Sequence, residues 1–201
     1  MVENLFPIRE KEIFEILNSL KNQKFVIIGG YAVNAYVLPR FSVDCDIVVH
    51  KEDISEISSI LEKIGFTESQ ETSDLSYGGK FKRFEKQIRK DFGVSIDILI
   101  GEVMDRQTGS VFSADWIFEN SQVRILRGKT ITEKLETRIV NPEALFATKL
   151  VSCRKTTIFA SWFRTTTGCS AVRLARVVRD DEAGGSNPLT PTTADSFSLS
   201  C

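Results

Sequence analysis

The chain has 201 residues, and its 26 Lys and Arg against 27 Asp and Glu give a formal net charge of −1 at pH 7. With 42% hydrophobic and 26% charged residues it resembles an average globular protein, and the balanced charge excludes a strongly basic nucleic-acid coat. No apolar run approaches the roughly 18–20 residues of a membrane span, and the N-terminal segment lacks the apolar stretch of a signal peptide. The four cysteines have neither metal-binding nor disulfide-scaffold spacing. We therefore expect a reduced, cytoplasmic protein.

Composition divides the chain near residue 155. All 13 lysines and 18 of the 19 isoleucines lie in residues 1–155, whereas residues 156–201 are rich in Ser, Thr, Gly and Pro. We expect a folded domain over 1–155 and a weakly ordered tail over 156–201. The tail is either an ordinary flexible extension or a foreign segment, joined through a shifted reading frame or a cloning junction. Because Lys and Ile disappear together, as a frame change in an AT-rich gene would produce, we favour the second interpretation.

The hydrophobic pattern of residues 1–155 predicts helices that alternate with strands. The first half contains an amphipathic helix over 8–22, a buried strand over 25–28, a helix over 31–38 that Pro39 closes, a second buried strand over 45–49 and an amphipathic helix over 52–64. The second half contains a strand over 81–88, a buried strand over 94–100, a β-hairpin over 123–131 that turns through Arg127-Gly128, and a helix from Pro142 to about Arg154. This order indicates an α+β or α/β fold with one mixed β-sheet flanked by helices.

Two glycines, Gly29 and Gly30, lie between the first predicted strand and the next helix. Glycines at such a junction let the backbone turn sharply and approach a ligand, and a helix N-terminus presents free N–H groups to an anion. On its own the pair is more often a tight turn than a binding site.

Asp44 and Asp46 lie two residues apart at the beginning of the second buried strand. Residues two apart in a strand point to the same face, so both carboxylates project together while Cys45 and Ile47 enter the core. Like charges this close favour a cation between them, and hard oxygen ligands suit Mg²⁺. An edge strand that shows two acids to water is the simpler alternative, but the apolar residues after Asp46 argue against it.

Asp97 lies inside the third apolar strand, where an unpaired carboxylate is costly to bury. By itself it is best interpreted as a hydrogen-bonded structural residue. Together with Asp44 and Asp46 on a neighbouring strand, it becomes the third member of a carboxylate cluster.

The ordered set of Gly29-Gly30, then Asp44-Cys45-Asp46, then Asp97 resembles the signature of the nucleotidyltransferase superfamily, which has the DNA polymerase β-like fold. Within it, the chain looks most like the small prokaryotic branch that includes the AbiEii-type toxins. The matching motifs are Gly-Gly-x-Ala at Gly29 to Ala32, Arg-x-Ser-x-Asp-x-Asp at Arg40 to Asp46, and Lys149-Leu150 in a later helix. The resemblance covers roughly residues 8–155.

The resemblance implies an enzyme that transfers a nucleoside monophosphate from an NTP to a hydroxyl acceptor and releases pyrophosphate. Gly29 and Gly30 would cradle the triphosphate, and Asp44 and Asp46 would hold two Mg²⁺ ions, with Mn²⁺ as a substitute. Asp97 would complete one metal site and help to activate the acceptor hydroxyl.

Three further residues are candidate phosphate contacts in this comparison: Arg40, Ser42 and Lys149. An ordinary surface cation is an equally good interpretation of Arg40 and of Lys149, and Ser42 is also suited to beginning a strand. The alternative function is a catalytically inactive member of the same fold, acting as a regulatory module or as the partner of an antitoxin.

The acceptor is a small molecule, a protein or an RNA. The densest basic stretch, KFKRFEKQIRK over residues 80–90, is either a solvated strand face or a path for a phosphate-rich acceptor such as RNA.

Overall fold

The computed structural model describes residues 5–69, 80–90, 92–104 and 109–151. The expected boundary at residues 155 and 156 and the whole tail over 156–201 lie outside these ranges. None of the helices in the described ranges combines the length and the apolar character needed to cross a lipid bilayer.

The described chain forms a seven-stranded mixed sheet and a separate two-stranded sheet. The order in the large sheet is β3-β4-β5-β2-β1-β9-β8. Its strands are β1 (Val26–Ile28), β2 (Asp44–Val49), β3 (Thr67–Glu68), β4 (Phe81–Arg89), β5 (Phe92–Ile100), β8 (Ser121–Arg127) and β9 (Lys134–Val140). The small sheet pairs β6 (Glu102–Met104) with β7 (Val111–Ser113). Parallel pairs (β2 with β5, β1 with β9) coexist with antiparallel ones, which confirms the mixed sheet.

Five helices accompany the strands in the described part of the chain: α1 (Phe6–Ser19), α2 (Gly29–Val33), α3 (Ile54–Lys63), α4 (Ala114–Glu119) and α5 (Pro142–Val151). The α+β architecture expected from the sequence is confirmed. The buried side of α1 carries Ile13, Ile16 and Leu17, at the three- and four-residue spacing that predicted the helix.

The middle of the sheet holds the hydrophobic core. All three residues of β1 are buried, and β2 is buried from Ile47 to Val49, as expected for central strands covered on both faces. Every other residue of β5 from Phe92 to Ile98 enters the core, and Ile100 is also buried. The three apolar strands β5, β2 and β1 are neighbours in the middle of the sheet. The polar residues of β2 lie directly beside those of β5 in the parallel pairing of these two strands.

Several boundaries differ from the predictions. The second helix spans Gly29–Val33 rather than 31–38, so both glycines belong to its first turn and Pro39 does not close it. After Val33 the chain continues as turns, in which the N–H groups of residues 34–36 bond to carbonyls three residues back. The predicted end of the last helix near Arg154 lies outside the described residues. The predicted hairpin over 123–131 exists as β8 and β9, but its second strand begins only at Lys134. The loop between the two strands bonds to α1 instead of extending the hairpin, because the buried Glu10 carboxylate accepts hydrogen bonds from the N–H groups of Lys129 and Thr130.

Candidate active site

The three aspartates singled out in the sequence meet on adjacent strands. β2 and β5 run parallel in a register that places Asp46 beside Asp97 and Asp44 beside Ser95. Neighbouring strands lie roughly 4.8 Å apart, and residues two apart share a face. The structure therefore brings Asp44, Asp46 and Asp97 together on one face of the sheet.

Asp46 has a strongly perturbed carboxyl group. Burial raises its pKa from 3.8 to about 6, repulsion from Asp97 and Asp44 adds to the rise, and attraction by Lys149 opposes it. The Gly30 N–H donates a hydrogen bond to this carboxylate, which also stabilises its charged form. Burial and the two neighbouring carboxylates therefore disfavour the charged form of Asp46, and Lys149 and the Gly30 N–H offset only part of this effect.

Asp97 is buried, and its two carboxylate oxygens are both bonded to Arg83. Arg83 lies directly opposite Asp97 in the antiparallel pairing of β4 and β5. Its Nε donates to Asp97 Oδ1 and its Nη2 to Oδ2, each at 2.7 Å. This is the bidentate fork geometry in which Arg binds a carboxylate most strongly.

Arg83 was considered in the sequence only as part of the basic stretch, and its place at the site was missed. Strand alternation along residues 81–88 marks which side chains share a face. It does not say which residue of a distant strand lies opposite, so Arg83 had no local signal that linked it to Asp97.

Asp44 has its own neutral partner. Ser95 Oγ donates a hydrogen bond to Asp44 Oδ1 at 2.8 Å. Ser95 was not among the predicted site residues, although its position two residues before Asp97 places the two side chains on one face of β5. That spacing was an available signal.

Both glycines are required by close contacts. Gly29 has φ of +67°, a conformation that other residues rarely adopt, and a Cβ there would overlap the Asp46 carboxylate. A Cβ on Gly30 would overlap the Ser42 hydroxyl. The pair lets the first turn of α2 lie directly against the beginning of β2, and these contacts account for both glycines without a ligand.

Ser42 connects the loop to the aspartate strand. Its hydroxyl donates to the main-chain oxygen of Asp44 at 3.1 Å, a contact that fits the alternative in which this residue begins the strand. Asn34 holds the same loop from the other side, because its buried amide group donates to the Arg40 carbonyl and accepts from the Arg40 N–H.

Lys149 lies near Asp46 and Arg40. Burial lowers the pKa of Lys149, attraction by Asp46 opposes this effect, and repulsion from Arg40 adds to it. The structure therefore brings two of the predicted phosphate contacts, Lys149 and Arg40, to the same end of the sheet as the aspartates.

No ready-made cage of three His, Cys, Asp or Glu side chains is present within the described ranges. Within the site, Asp97 is bonded to Arg83, and Asp44 accepts a hydrogen bond from Ser95. Mg²⁺ does not need such a cage, since it usually takes one or two carboxylates together with water and substrate phosphates. The pair of Asp44 and Asp46 meets that requirement.

Three of the four lysines of the basic stretch are engaged with acids. Lys80 contacts Glu102 at 2.7 Å, Lys82 contacts Glu68 at 2.7 Å, and Lys86 contacts Glu12 at 2.9 Å. With these pairs and the Arg83 pair, this strand offers much less free positive charge to a nucleic acid than its composition indicates.

Comparison with known proteins places this geometry in context. The model of the AbiEii family, described as "Nucleotidyl transferase AbiEii toxin, Type IV TA system", matches residues 13–158, well over half of the chain. No curated protein sequence matches the chain.

Two solved structures resemble the fold. The solution structure of the antibiotic-resistance factor ANT(2'')-Ia has a TM-score of 0.58 at 16% identity, covering 89% of this chain and 95% of that one. The crystal structure of ANT(2'')-Ia in complex with adenylyl-2''-tobramycin has a TM-score of 0.50 at 18% identity, covering 88% of this chain and 92% of that one. At these identities the likeness shows a shared fold.

Proposed function

The chain belongs to the AbiEii nucleotidyl transferase family, and we propose that it transfers a nucleoside monophosphate from an NTP to a hydroxyl acceptor with release of pyrophosphate. One observation carries the proposal: the register of β2 and β5 sets Asp46 beside Asp97, with Asp44 two residues away on the same face. A carboxylate cluster next to a Gly-Gly turn is the arrangement that the family resemblance implies for nucleotidyl transfer.

The donor set fits a divalent cation. Asp44 and Asp46 offer carboxylate oxygens, which Mg²⁺ and Mn²⁺ prefer as ligands. Repulsion from its neighbours contributes to the raised pKa of Asp46, so a cation bound here would relieve an existing excess of negative charge. Asp44 and Asp46 would hold the metal, two ions in the full proposal, and Asp97 would complete one of the two sites. Bound metal would offset the charge that develops on the reacting phosphate oxygens.

The protein's own groups would orient and stabilise the substrates. Lys149 and Arg40 would pair with the oxygens of the NTP, Lys as a point charge and Arg through its planar fork. The Gly29-Gly30 turn would let the nucleotide phosphates approach the backbone, and Ser42 would supply a hydroxyl nearby. Asp97 would take the proton from the acceptor hydroxyl once its carboxylate is free to do so.

The acceptor is a hydroxyl of a small molecule, a protein or an RNA. The ion pairs of Lys80, Lys82 and Lys86 weaken the charge argument that specifically supported RNA. The family description as a toxin of a type IV toxin–antitoxin system adds an antitoxin as the candidate protein partner.

The test is incubation of the full chain with each of the four α-³²P-labelled NTPs, a cell extract and either Mg²⁺ or Mn²⁺. We expect a labelled product that requires the metal and is lost, by about 100-fold or more, in Asp44→Asn and Asp46→Asn. Asp115→Asn is the matched control because this side chain is 84% exposed, and it should keep the activity. Sensitivity of the labelled product to nuclease indicates an RNA acceptor, sensitivity to protease a protein, and passage through an ultrafiltration membrane a small molecule.

The bond of Asp97 to Arg83 favours one alternative, a catalytically inactive regulatory or antitoxin-binding module. A chain that binds NTP tightly without metal, equally well in Asp44→Asn and Asp46→Asn, and that labels no acceptor would support this alternative and overturn the enzyme.

A further inference from the structure

Arg83 holds both carboxylate oxygens of Asp97. The fork of Nε and Nη2 takes both carboxylate oxygens at 2.7 Å. Parallel bonds of this kind lie in the plane of the carboxylate and use the lone pairs through which it also binds a metal or accepts a proton. Asp97 therefore cannot chelate a cation through both oxygens while the fork is intact, and only the outer lone pair of each oxygen stays open.

The guanidinium is also the cation that offsets the acids around it. Bonding to Asp97 and attraction by Asp44 and Glu85 raise the pKa of Arg83 further above its already high value. A positive charge opposite Asp97 reduces the repulsion between Asp97 and Asp46, which is what a bound metal ion would also do. Arg83 and a divalent cation thus meet the same electrostatic need.

Exposure differs between the two partners. The Asp97 side chain is 10% exposed, whereas that of Arg83 is 32% exposed. The carboxylate is enclosed by the sheet, but the guanidinium borders solvent. If the pair separates, Arg83 is the group with space to leave, because its long side chain can turn towards water while Asp97 stays on β5.

We propose that Arg83 is the resident counter-cation of Asp97, and that it competes with a divalent cation, which displaces the guanidinium when Asp97 binds it through both oxygens. Arg83 is then a positioning residue that acts through Asp97 and keeps the third carboxylate engaged while the site is empty of substrate. This inference rests on the proposed function, and its tests separate the failure of one from the failure of the other.

The first test follows the Arg83 Nε–H signal by NMR in the full wild-type chain, assigned from its proximity to protons of β4 and β5. We expect this signal to move towards that of unpaired arginines on addition of Mg²⁺ with the α,β-methylene analogues of the four NTPs. An unchanged signal, while the Gly29 and Gly30 amide signals move, would show nucleotide bound with the fork intact and overturn the inference. If the amides do not move either, the proposed function fails and the inference falls with it.

The second test measures the affinity for Mn²⁺ alone by electron paramagnetic resonance. Arg83→Gln and Arg83→Lys should both bind Mn²⁺ about tenfold more tightly than the wild type, because neither forms the fork. Lys82→Gln is the matched control: it removes a cation from the adjacent position of β4, where the ammonium pairs with Glu68, and should leave the affinity unchanged. Adding Asp97→Asn to Arg83→Gln should abolish the gain.

Two results would contradict displacement. Weaker or equal Mn²⁺ binding in Arg83→Gln would mean that Arg83 supports the metal site rather than competing with it. Tighter Mn²⁺ binding in Arg83→Gln but not in Arg83→Lys would mean that the positive charge at position 83, and not the fork, weakens metal binding. In contrast, an Mn²⁺ affinity that stays the same in Asp44→Asn and Asp46→Asn as in the wild type would count against the proposed function itself.

Discussion

Asp46 combines three demands in one side chain. It lies on a strand whose other residues form the core, it faces Asp97 across the β2–β5 pairing, and it touches the Gly29 backbone so closely that no Cβ fits there. Burial and like-charge repulsion raise its pKa to about 6. At neutral pH the ionised form of Asp46 is therefore electrostatically unfavourable, a property that is common at functional sites.

This raised pKa predicts how stability changes with pH. An Asp ionises near 3.9 in an unfolded chain and near 6 here, so between these values the folded state binds the proton more tightly. The contribution of Asp46 to the free energy of unfolding is therefore most favourable below about pH 4 and is lost as the pH rises through 6. Asp46→Asn should remove the penalty and raise the free energy of unfolding at pH 7 by about 3 kcal/mol.

Urea unfolding of wild type and Asp46→Asn from pH 4 to pH 8 measures this difference. The two curves should converge towards pH 4, separate between pH 4 and pH 6, and differ by a nearly constant amount above pH 7. Glu52→Gln, at an exposed position, should follow the wild type throughout. Equal stability of Asp46→Asn and wild type at pH 7 would contradict the raised pKa.

At the scale of elements, the contact between α2 and the beginning of β2 shapes the site. Gly30 lies against Ser42, and Ser42 bonds to the main chain of Asp44. Asn34 fastens the loop between them through both polar groups of the Arg40 backbone. The loop before the aspartates is therefore held by packing and buried hydrogen bonds, as a preorganised site requires.

Gly30→Ala tests this packing, because the added methyl would overlap both Oγ and Cβ of Ser42. We expect the free energy of unfolding to fall by about 2 kcal/mol, the usual cost of overpacking. Ser42→Gly removes both obstructing atoms, so introducing Ala at position 30 in a Ser42→Gly background should cost less than about 0.5 kcal/mol. Urea unfolding of the wild type, Gly30→Ala, Ser42→Gly and the double variant measures these differences. If the losses of the two single variants add up in the double variant, the overlap with Ser42 is not the cause.

Across the whole molecule, Glu10 joins the N-terminal helix to the loop of the β8–β9 hairpin, 119 and 120 residues further along the chain. Its buried carboxylate accepts from Lys129 N at 2.6 Å, Thr130 N at 2.7 Å and Thr130 Oγ1 at 2.5 Å. Three donors converge on two oxygens, a need that only a carboxylate meets in full. β9 in turn pairs with β1, next to the aspartate strand.

Glu10→Gln should lower the free energy of unfolding by about 2 kcal/mol, because the amide NH₂ group faces donors and leaves at least one of them unpaired. Hydrogen exchange at the Lys129 and Thr130 amides should accelerate in the same variant. Glu15→Gln on the same helix is the control, since Glu15 is exposed and only 3.8 Å from Lys11, and it should change stability by less than about 0.5 kcal/mol. Unchanged exchange at both amides in Glu10→Gln would contradict this role.

Much of the fold was predictable from local pattern. The three apolar runs became the central strands β1, β2 and β5, and helical spacing located α1 and α3. The small sheet of β6 and β7 and the short α4 were not predicted, because segments of three to six residues carry too little periodicity. The start of β9 was misplaced because the bonds of Glu10 to the loop leave no trace in the sequence around Lys129.

The sequence by itself determined that Asp44 and Asp46 share a face, that Asp97 lies in a buried strand, and that the combination resembles nucleotidyltransferases. These conclusions follow from alternation along one strand and from motif spacing, both of which are local properties. Only the tertiary structure decided that Asp46 lies beside Asp97 and that Arg83 holds the latter. Strand order and register arise from the packing of segments distant in the chain, and a shift of one residue would turn Arg83 to the opposite face.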